Sequence, residues 1–391
     1  MVLQLFRSSS DTTPEVKSSA AKPVLAFHGA GRAAWSARDT ATLTRVGFLR
    51  NPVAFRCVKL LSEAAAAVPA IVQDETTRYD AHPVLDLLAR PNAGQTGAAL
   101  LEGLYGHMLL TGDGYLEAAG AGLSGGPGEL YLLRPDRMSV VPGADGWPAA
   151  YEYRVGSRKH PFDMGQEQPP ILHLKTFHPQ DDHYGLSPLH AAATAIDVHN
   201  AASTWSKSLL DNAARPSGAI VYKGADGHGS LASDQYARLI DELESHHQGA
   251  RNAGRPMLLE GGLDWKPMGF SPSDMEFHRT KEASARDVAL AFGVPPMLLG
   301  LPGDNTYANY QEAHRAFYRL TVLPLVSKTF GAMSTWLQGH YGSLFQIRVD
   351  FDNVHALADE RDALWRRITE ADFLSPEEKR ALLGLPRRQE G

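Results

Sequence analysis

From residue 53 to 68 the apolar side chains Val53, Val58, Leu60 and Leu61 and the alanine run 64–67 favour a helix, and Pro69 stops it. A strand over 70–73 follows. Thr96 is placed to cap a second helix, in which Leu100, Leu101, Leu104, Tyr105, Met108 and Leu109 recur at intervals of three and four and mark one buried face. Thr111-Gly112-Asp113-Gly114 breaks that helix. Short apolar runs at 115–118, 130–133, 138–141, 151–155 and 171–175 then alternate with Gly, Pro and Asp clusters, a pattern that predicts small antiparallel strands.

The second half of the chain reads as mostly helical. Ser187-Pro188 starts a helix expected to reach about residue 212, with the serine as cap and the proline in the first turn, where its missing N–H costs nothing. A strand at 219–223, a helix at 233–247 and a two-stranded hairpin through 256–259 and 263–268 come next. Ser271-Pro272 opens a helix that ends at Gly293, and Pro295-Pro296 keeps it ended. Beyond a polar, glycine-bearing loop at 300–306 lies a long helix over 307–338, about 45 Å if straight at 1.5 Å per residue, with a kink expected at Pro324. A strand at 344–351 and helices at 359–370 and 376–383 close the chain. Residues 1–44, rich in Ser, Thr, Ala and Gly with no sustained period, read as a mobile arm.

Composition narrows the class. A chain of 391 residues exceeds what one core usually serves, so two or three structural units are expected, and 43% hydrophobic with 21% charged residues is the mix of a folded globular protein. The single cysteine, Cys57, rules out an intrachain disulfide framework or a cysteine-based zinc site and fits a reducing, cytoplasmic origin. Its place in an apolar helix predicts packing rather than nucleophilic chemistry. No apolar run approaches the length of a membrane helix, and residues 1–17 lack the features of a secretory signal. The formal net charge of −6 removes the basic footprint of a protein that grips the phosphate backbone tightly.

Candidate chemistry fails on physical grounds. Gly120-Ala121-Gly122-Leu123-Ser124-Gly125 has the spacing of a dinucleotide loop, but a phosphate site needs a helix N-terminus after the glycines and Gly126-Pro127-Gly128 prevents one. Lys328-Thr329 lacks the glycine-rich loop that would cradle a phosphate, so the chain is not itself a packaging motor. Gly185-Leu186-Ser187-Pro188-Leu189 is half a nucleophile elbow, and Ser187 is better read as a cap. The cluster His178, Asp181, Asp182 and His183 is the densest set of metal-capable side chains, with His246-His247 elsewhere beside Glu242 and Glu244. Without an HExxH helix or a paired-histidine spacing, a solvated loop and a wet helix face are the simpler readings. A metal-dependent enzyme acting on nucleic acid, centred on 178–183, stays open as the alternative of a different class, and a monomeric adaptor as a third.

Several stretches, taken in order, resemble the portal proteins of tailed double-stranded DNA bacteriophages, in the branch typified by phage HK97. They are the run 109–115 (LLTGDGY), 130–135, Ile171-Leu172-His173-Leu174 with Gly185-Leu186-Ser187-Pro188-Leu189, and 212–218. The most diagnostic are 286–296, ending Ala291-Phe292-Gly293-Val294-Pro295-Pro296, then Leu299-Gly300 and Tyr307-Ala308-Asn309-Tyr310-Gln311-Glu312. The resemblance spans nearly everything after Asn51. Asp113-Gly114 departs from it, since relatives often carry Asn-Ala there, and the portion after Phe351 is short.

The resemblance implies an α+β, ring-forming subunit with a wing at 45–232, stem helices at 233–248 and 271–293, and a small clip with β-structure at 249–270. A tunnel loop region at 294–306, a long kinked helix at 307–340 and a strand with a short helical crown at 341–391 complete it. It also implies a ring, typically of twelve subunits, at one capsid vertex, assembled in a host bacterial cytoplasm, in a phage, a prophage or a gene-transfer particle. The ring is expected to contact the major capsid protein, a head-completion or adaptor protein, the terminase large subunit and, non-specifically, double-stranded DNA, with no membrane, cofactor, metal or catalytic step. Asp304, Asn305 and Thr306 are expected to approach the DNA from the tunnel loop. Arg279, Lys281 and Arg286 are expected to face the lumen or, by preference, to pair with carboxylates on a neighbour. Arg251, Arg255, Trp265 and Lys266 of the clip are expected to dock the terminase or adaptor. The acidic balance suits such a pore, because DNA that must slide should not be held through many cations.

Overall fold

The computed structural model describes residues 35–123, 125–211, 218–222, 234–235, 237–238, 241, 263–267, 272–302 and 307–385. Ser36–Gly391 forms one unit. Order begins earlier than the sequence pattern suggests. Asp39 Oδ1 accepts from the Thr42 amide and caps a short helix, α1 (Thr40–Leu43), which runs into a π-helical turn at Thr44–Phe48 and buries Leu43. Ser36 donates from both its amide and its hydroxyl to Asp197, so residues 36–44, expected to belong to a mobile arm, are held by a long-range contact that no local pattern announces.

Helix α2 (Pro52–Ala66) is capped by Asn51, whose side-chain oxygen accepts from the Val53 and Ala54 amides. Strands β1 (Ala70–Gln73) and β2 (Arg78–Tyr79) and the short α3 (Pro83–Ala89) lead to α4 (Gly97–Thr111), capped by Thr96 as its sequence predicts and closed by Gly112 at φ +89°. Next come β3 (Asp113–Ala121), β4 (Pro127–Leu133), β5 (Met138–Pro142), β6 (Pro148–Val155), β7 (Arg158–Asp163) and β8 (Ile171–Lys175). They form two antiparallel three-stranded sheets in the orders β4-β3-β8 and β5-β6-β7. Strands β3 and β4 pair as a hairpin, with the Gly122 amide donating to the Gly126 carbonyl, and among the described residues the glycines are followed by β4 rather than by a helix.

Ser187 caps α5 (Pro188–Ala191), and α6 (Ala193–Asp211) continues after an interruption at Ala192, so the single expected helix is two in near-continuity. Strand β9 (Gly218–Tyr222) pairs antiparallel with β10 (Leu263–Pro267). The sequence pattern put 263–268 in a hairpin with 256–259; the latter lie outside the described residues, and the partner observed is β9. Helix α7 (Pro272–Ala291) leads through Gly293 to a 3-10 turn at Pro296–Leu299.

The long helix is not uniform. An α-helical piece, α8 (Tyr307–Phe317), passes into a π turn at Tyr318–Val322 and then into α9 (Leu323–Tyr341). Pro324 therefore falls in the first turn of α9, where its missing N–H is tolerated. Strand β11 (Gln346–Val349) joins the sheet β11-β1-β2, and α10 (Ala358–Thr369) and α11 (Pro376–Leu383) end the described chain.

Helices α2, α4, α7 and α9 with strand β11 share one core, in which Cys57, Leu61, Leu104, Met108, Val288, Phe330, Met333 and Ile347 are buried. A satellite cluster of Tyr115, Leu133, Met138, Tyr151 and Ile171 lies between the two three-stranded sheets. Cys57 is fully enclosed and burial pushes its thiol up to about 12, which leaves it inert at neutral pH. Among the described residues no helix is long and apolar enough to cross a membrane.

Candidate functional site

Helices α6 and α7 lie against each other, with Trp205 stacked on Phe277 at 4.3 Å between ring centres. The chain leaves this pair through β9 and returns through β10, so the paired strands join onto the same ends of the two helices. The partner seen along α7 is thus α6; most of the helix expected at 233–247 lies outside the described residues.

The buried side of α7 carries Ser284, Ala285, Val288 and Ala289, with Phe292 buried just past its end, while Arg279, Ala283, Arg286, Asp287 and Leu290 are exposed. This free face mixes both signs of charge, and His278 pairs with Glu282 one turn on at 3.2 Å. Such a face offers weak, screened contacts to phosphates rather than a dense cationic track. Arg279 makes no ion pair among the described residues. Lys281 is half-buried and close enough to His199 to help depress that imidazole's basicity.

Beyond α7 the chain doubles back. Gly293 adopts φ +64°, the Val294 amide donates to Ala289, and Thr321 Oγ1 donates to the Gly293 carbonyl at 2.7 Å. The Arg286 guanidinium of α7 donates to the Pro302 carbonyl, a backbone oxygen of the same chain rather than a carboxylate. Asp304, Asn305 and Thr306, like Arg251 and Arg255, lie outside the described residues. Trp265 and Lys266 stand on β10 opposite Ile220 and Ala219 of β9.

Two motif pieces separated by 70 residues meet at one junction. The Thr176 amide and hydroxyl both donate to the Gly112 carbonyl, and the hydroxyl also reaches the Leu186 carbonyl. Asp113 Oδ1 accepts from the Gly185 amide at 2.8 Å and from His173 Nε2 at 2.9 Å. His173 Nδ1 then accepts from the Tyr151 hydroxyl at 3.1 Å, and Tyr115 stacks on the imidazole at 4.2 Å. Burial first, and the Asp113 charge second, push the Tyr151 hydroxyl up to about 12, so it stays a donor. Sequence reasoning missed this network, because its members are brought together only by the fold.

In the 178–183 loop two of the four candidate ligands, His178 and Asp181, are engaged in turns, while His183 Nδ1 is buried with no hydrogen-bond partner among the described residues. Asp181 Oδ1 accepts from the His183 and Tyr184 amides, which hold its carboxyl below the usual range, and His178 Nδ1 accepts from the Gln180 amide. Among the described residues no group of three or more His, Cys, Asp or Glu is arranged to hold a metal ion.

A second polar bolt fixes the α1–α2 corner to α6. Asn51 Nδ2 lies 3.2 Å from His199 Nδ1 and 3.0 Å from Asn200 Oδ1. Burial, then Lys281, lowers the pKa of His199 from its ordinary 6.5, so in the fold it stays neutral and accepts from Asn51. Above pH 6.5 it is neutral in folded and unfolded chains alike; as pH falls below that value the unfolded chain takes up the proton first and stability is lost. His82 and His107 are lowered by burial and act in the same direction. Thermal melts from pH 7.5 to 5 should therefore show a falling midpoint, with a shallower fall in His199→Gln. An equal fall in both proteins would remove His199 from the account.

Comparison with known proteins places this geometry. The family model described as "Phage portal protein" matches residues 52–384. Chains in the necks of gene transfer agent particles share this fold: one from an empty particle computed with C6 symmetry is 67% identical, with a TM-score of 0.73, and covers 92% of this chain and 97% of its own. One from a native particle computed with C12 symmetry is 66% identical, with a TM-score of 0.72 and the same coverage. A protein of Rickettsia bellii is 40% identical over 354 residues, 89% of this chain and 90% of that protein. The portal protein of Enterobacteria phage HK97 is 26% identical over 303 residues, 74% of this chain and 67% of that protein.

Proposed function

We propose that this chain, which belongs to the phage portal protein family, closes with identical copies into a ring at one vertex of a capsid, as the conduit through which double-stranded DNA enters and leaves. The observation that carries this reading is the two-thirds identity, over nearly the whole of both chains, to subunits in the necks of gene transfer agent particles. That identity also favours a gene transfer agent over a lytic phage as the particle. Twelve copies is the number the C12 relative supports. A closed ring of this kind needs two unlike surfaces on each subunit, and a chain with separate sheets, a helix pair and a terminal helical hairpin offers them.

In this reading α6 and α7 form the stem, and the β9–β10 pair with the residues between its strands forms the clip. Arg251, Arg255, Trp265 and Lys266 there would meet the terminase large subunit during filling and a head-completion protein afterwards; the wing would face the major capsid protein. The mixed-charge face of α7 supports passage rather than grip, and no bond is made or broken by the subunit. Asp304, Asn305 and Thr306 would approach the DNA from a root held by Arg286.

Electron microscopy of the purified protein or of the particle's tail vertex tests the ring directly, and a chain seated away from the symmetry axis with no passage through its centre would overturn it. Asn305→Ala and Thr306→Ala should each lower the DNA packaged or retained per particle while rings form as before. Normal packaging in both would remove the loop from the mechanism.

A further inference from the structure

The corner where the π turn at Thr44–Phe48 meets α2 is fixed on its inner side and bare on its outer side. Gly47 is buried against Leu189 and Ile196, Asn200 donates to the Val46 carbonyl, and Val53, Ala54 and Cys57 turn inward. On the outer side Arg45, Arg50 and Arg56 are exposed together with Leu49, at 69%, and Phe55, at 45%. The Phe48 and Phe55 rings, 5.1 Å apart, join the two helical segments into one surface. None of the three arginines forms an ion pair among the described residues. The carboxylates nearest along the chain are engaged elsewhere, Asp39 by the Thr42 amide and Glu63 by Lys59. Residues 45–56 contain no Asp or Glu and carry +3; the whole chain carries −6, so the rest of it carries −9.

We infer that this corner is a contact between neighbouring copies of the chain, with its arginines set against an acidic surface of the next subunit and Leu49 and Phe55 at the apolar centre of the contact. It rests on the ring reading above and names one of the two unlike surfaces which that reading requires. A two-fold contact would lay the arginines of one corner on those of the other, and like charges so placed repel, so the corner suits a different surface, as head-to-tail closure demands. On a chain with nine negative charges in excess outside the corner, that surface is acidic on average and complementary to it. A ring neighbour also meets every copy in the same way, whereas a partner whose symmetry differs from the ring's meets each copy differently. A DNA backbone would answer the arginines alone and leave Leu49 and Phe55 in water. Arginine beside an exposed aromatic ring, in a segment with no lysine, is the composition of a protein contact.

Photo-cross-linking from position 49 tests the contact, because the one native thiol, Cys57, is buried and inert. Full-length Leu49→Cys is labelled with a benzophenone, its rings are confirmed by electron microscopy, and the irradiated products are mapped by mass spectrometry. Dimers joining position 49 to a carboxylate-bearing segment of a second copy are the expected result. Dimers joined instead to residues 45–56 of the second copy, or to a segment with no carboxylate, would overturn the contact. Confirmed rings that yield no dimers would do the same while leaving the ring reading standing; absence of rings from the unmodified protein would remove both. As a second measurement, the triple variant Arg45→Glu, Arg50→Glu, Arg56→Glu should raise the protein concentration needed for ring assembly by about a hundredfold or more, without changing the far-ultraviolet spectrum of the unassembled chain. With glutamine at the same three positions, that concentration should respond less to added salt than in the unmodified protein. Rings that form as before in both triple variants would overturn the contact, and a defect then confined to retained DNA or to capsid incorporation would identify the partner that takes the neighbour's place.

Discussion

Gly185→Ala should abolish the folded protein or lower its unfolding free energy by about 4 kcal/mol or more, a range reserved for core failures. A Cβ at Gly185 would sit 2.1 Å from the Gly112 carbonyl oxygen and 2.8 Å from the Thr176 amide nitrogen. At Gly112 it would sit 2.3 Å from the Gly185 carbonyl oxygen, in a backbone at φ +89° that side chains avoid. All these neighbours are backbone atoms of the β3–β8 junction, so no side chain can swing aside. Relief would need the α4–β3 corner and the 185–187 segment to part, breaking the Thr176 and Asp113 hydrogen bonds together. Gly331→Ala is the matched control: it lies inside α9 with open space around the new methyl, and alanine is the better helix former, so its stability should equal or exceed that of the unmodified protein. Urea unfolding midpoints at one protein concentration read both, since assembly would otherwise shift the result. Gly185→Ala unfolding at the midpoint of the unmodified chain would sink the argument.

That junction also explains how much could be read from the chain alone. Caps and stops are local chemistry, so Thr96, Ser187, Gly293 and the α11 boundary at Pro376 stand where side-chain spacing puts them. The resemblance rested in part on the runs around Gly112 and Gly185, and the structure brings those two runs together in one contact. Strand β7 left no trace because it is an edge strand whose first four residues, Arg158-Lys159-His160-Pro161, are exposed and show no alternation, with Phe162 alone packing against the satellite cluster; Pro161 is tolerated there because only one side of the strand is paired. The hold on Ser36 by Asp197, the bolt from Asn51 to His199 and the partner of β10 join residues 41 to 161 positions apart, which periodicity cannot register. The π turn before Pro324 is likewise a tertiary outcome. The sequence marks the proline as a fault in the helix, but whether the chain kinks or widens depends on what packs beside it.

Asp113 supplies the second large effect, and its two substitutions should separate sharply. The carboxylate is nearly buried, and one of its oxygens accepts both the Gly185 amide and His173 Nε2. Asp113→Ala leaves those two donors enclosed with nothing to accept them, at about 1 to 3 kcal/mol each, so a loss of roughly 3 kcal/mol is expected. Asp113→Asn keeps an oxygen in the same place for the same two donors and forfeits only the extra strength of a charged acceptor, about 1 kcal/mol. The asparagine form should therefore melt close to the unmodified protein and the alanine form well below it. His173 provides an internal check. With Asp113 gone its Nε2–H loses the acceptor that fixes the tautomer, and the Tyr151 hydroxyl loses a reliable acceptor at Nδ1, so the imidazole nitrogen resonances should move far more in the alanine variant than in the asparagine one. If asparagine proved as costly as alanine, the negative charge rather than the shared oxygen would be what holds β3 to the 185–187 segment.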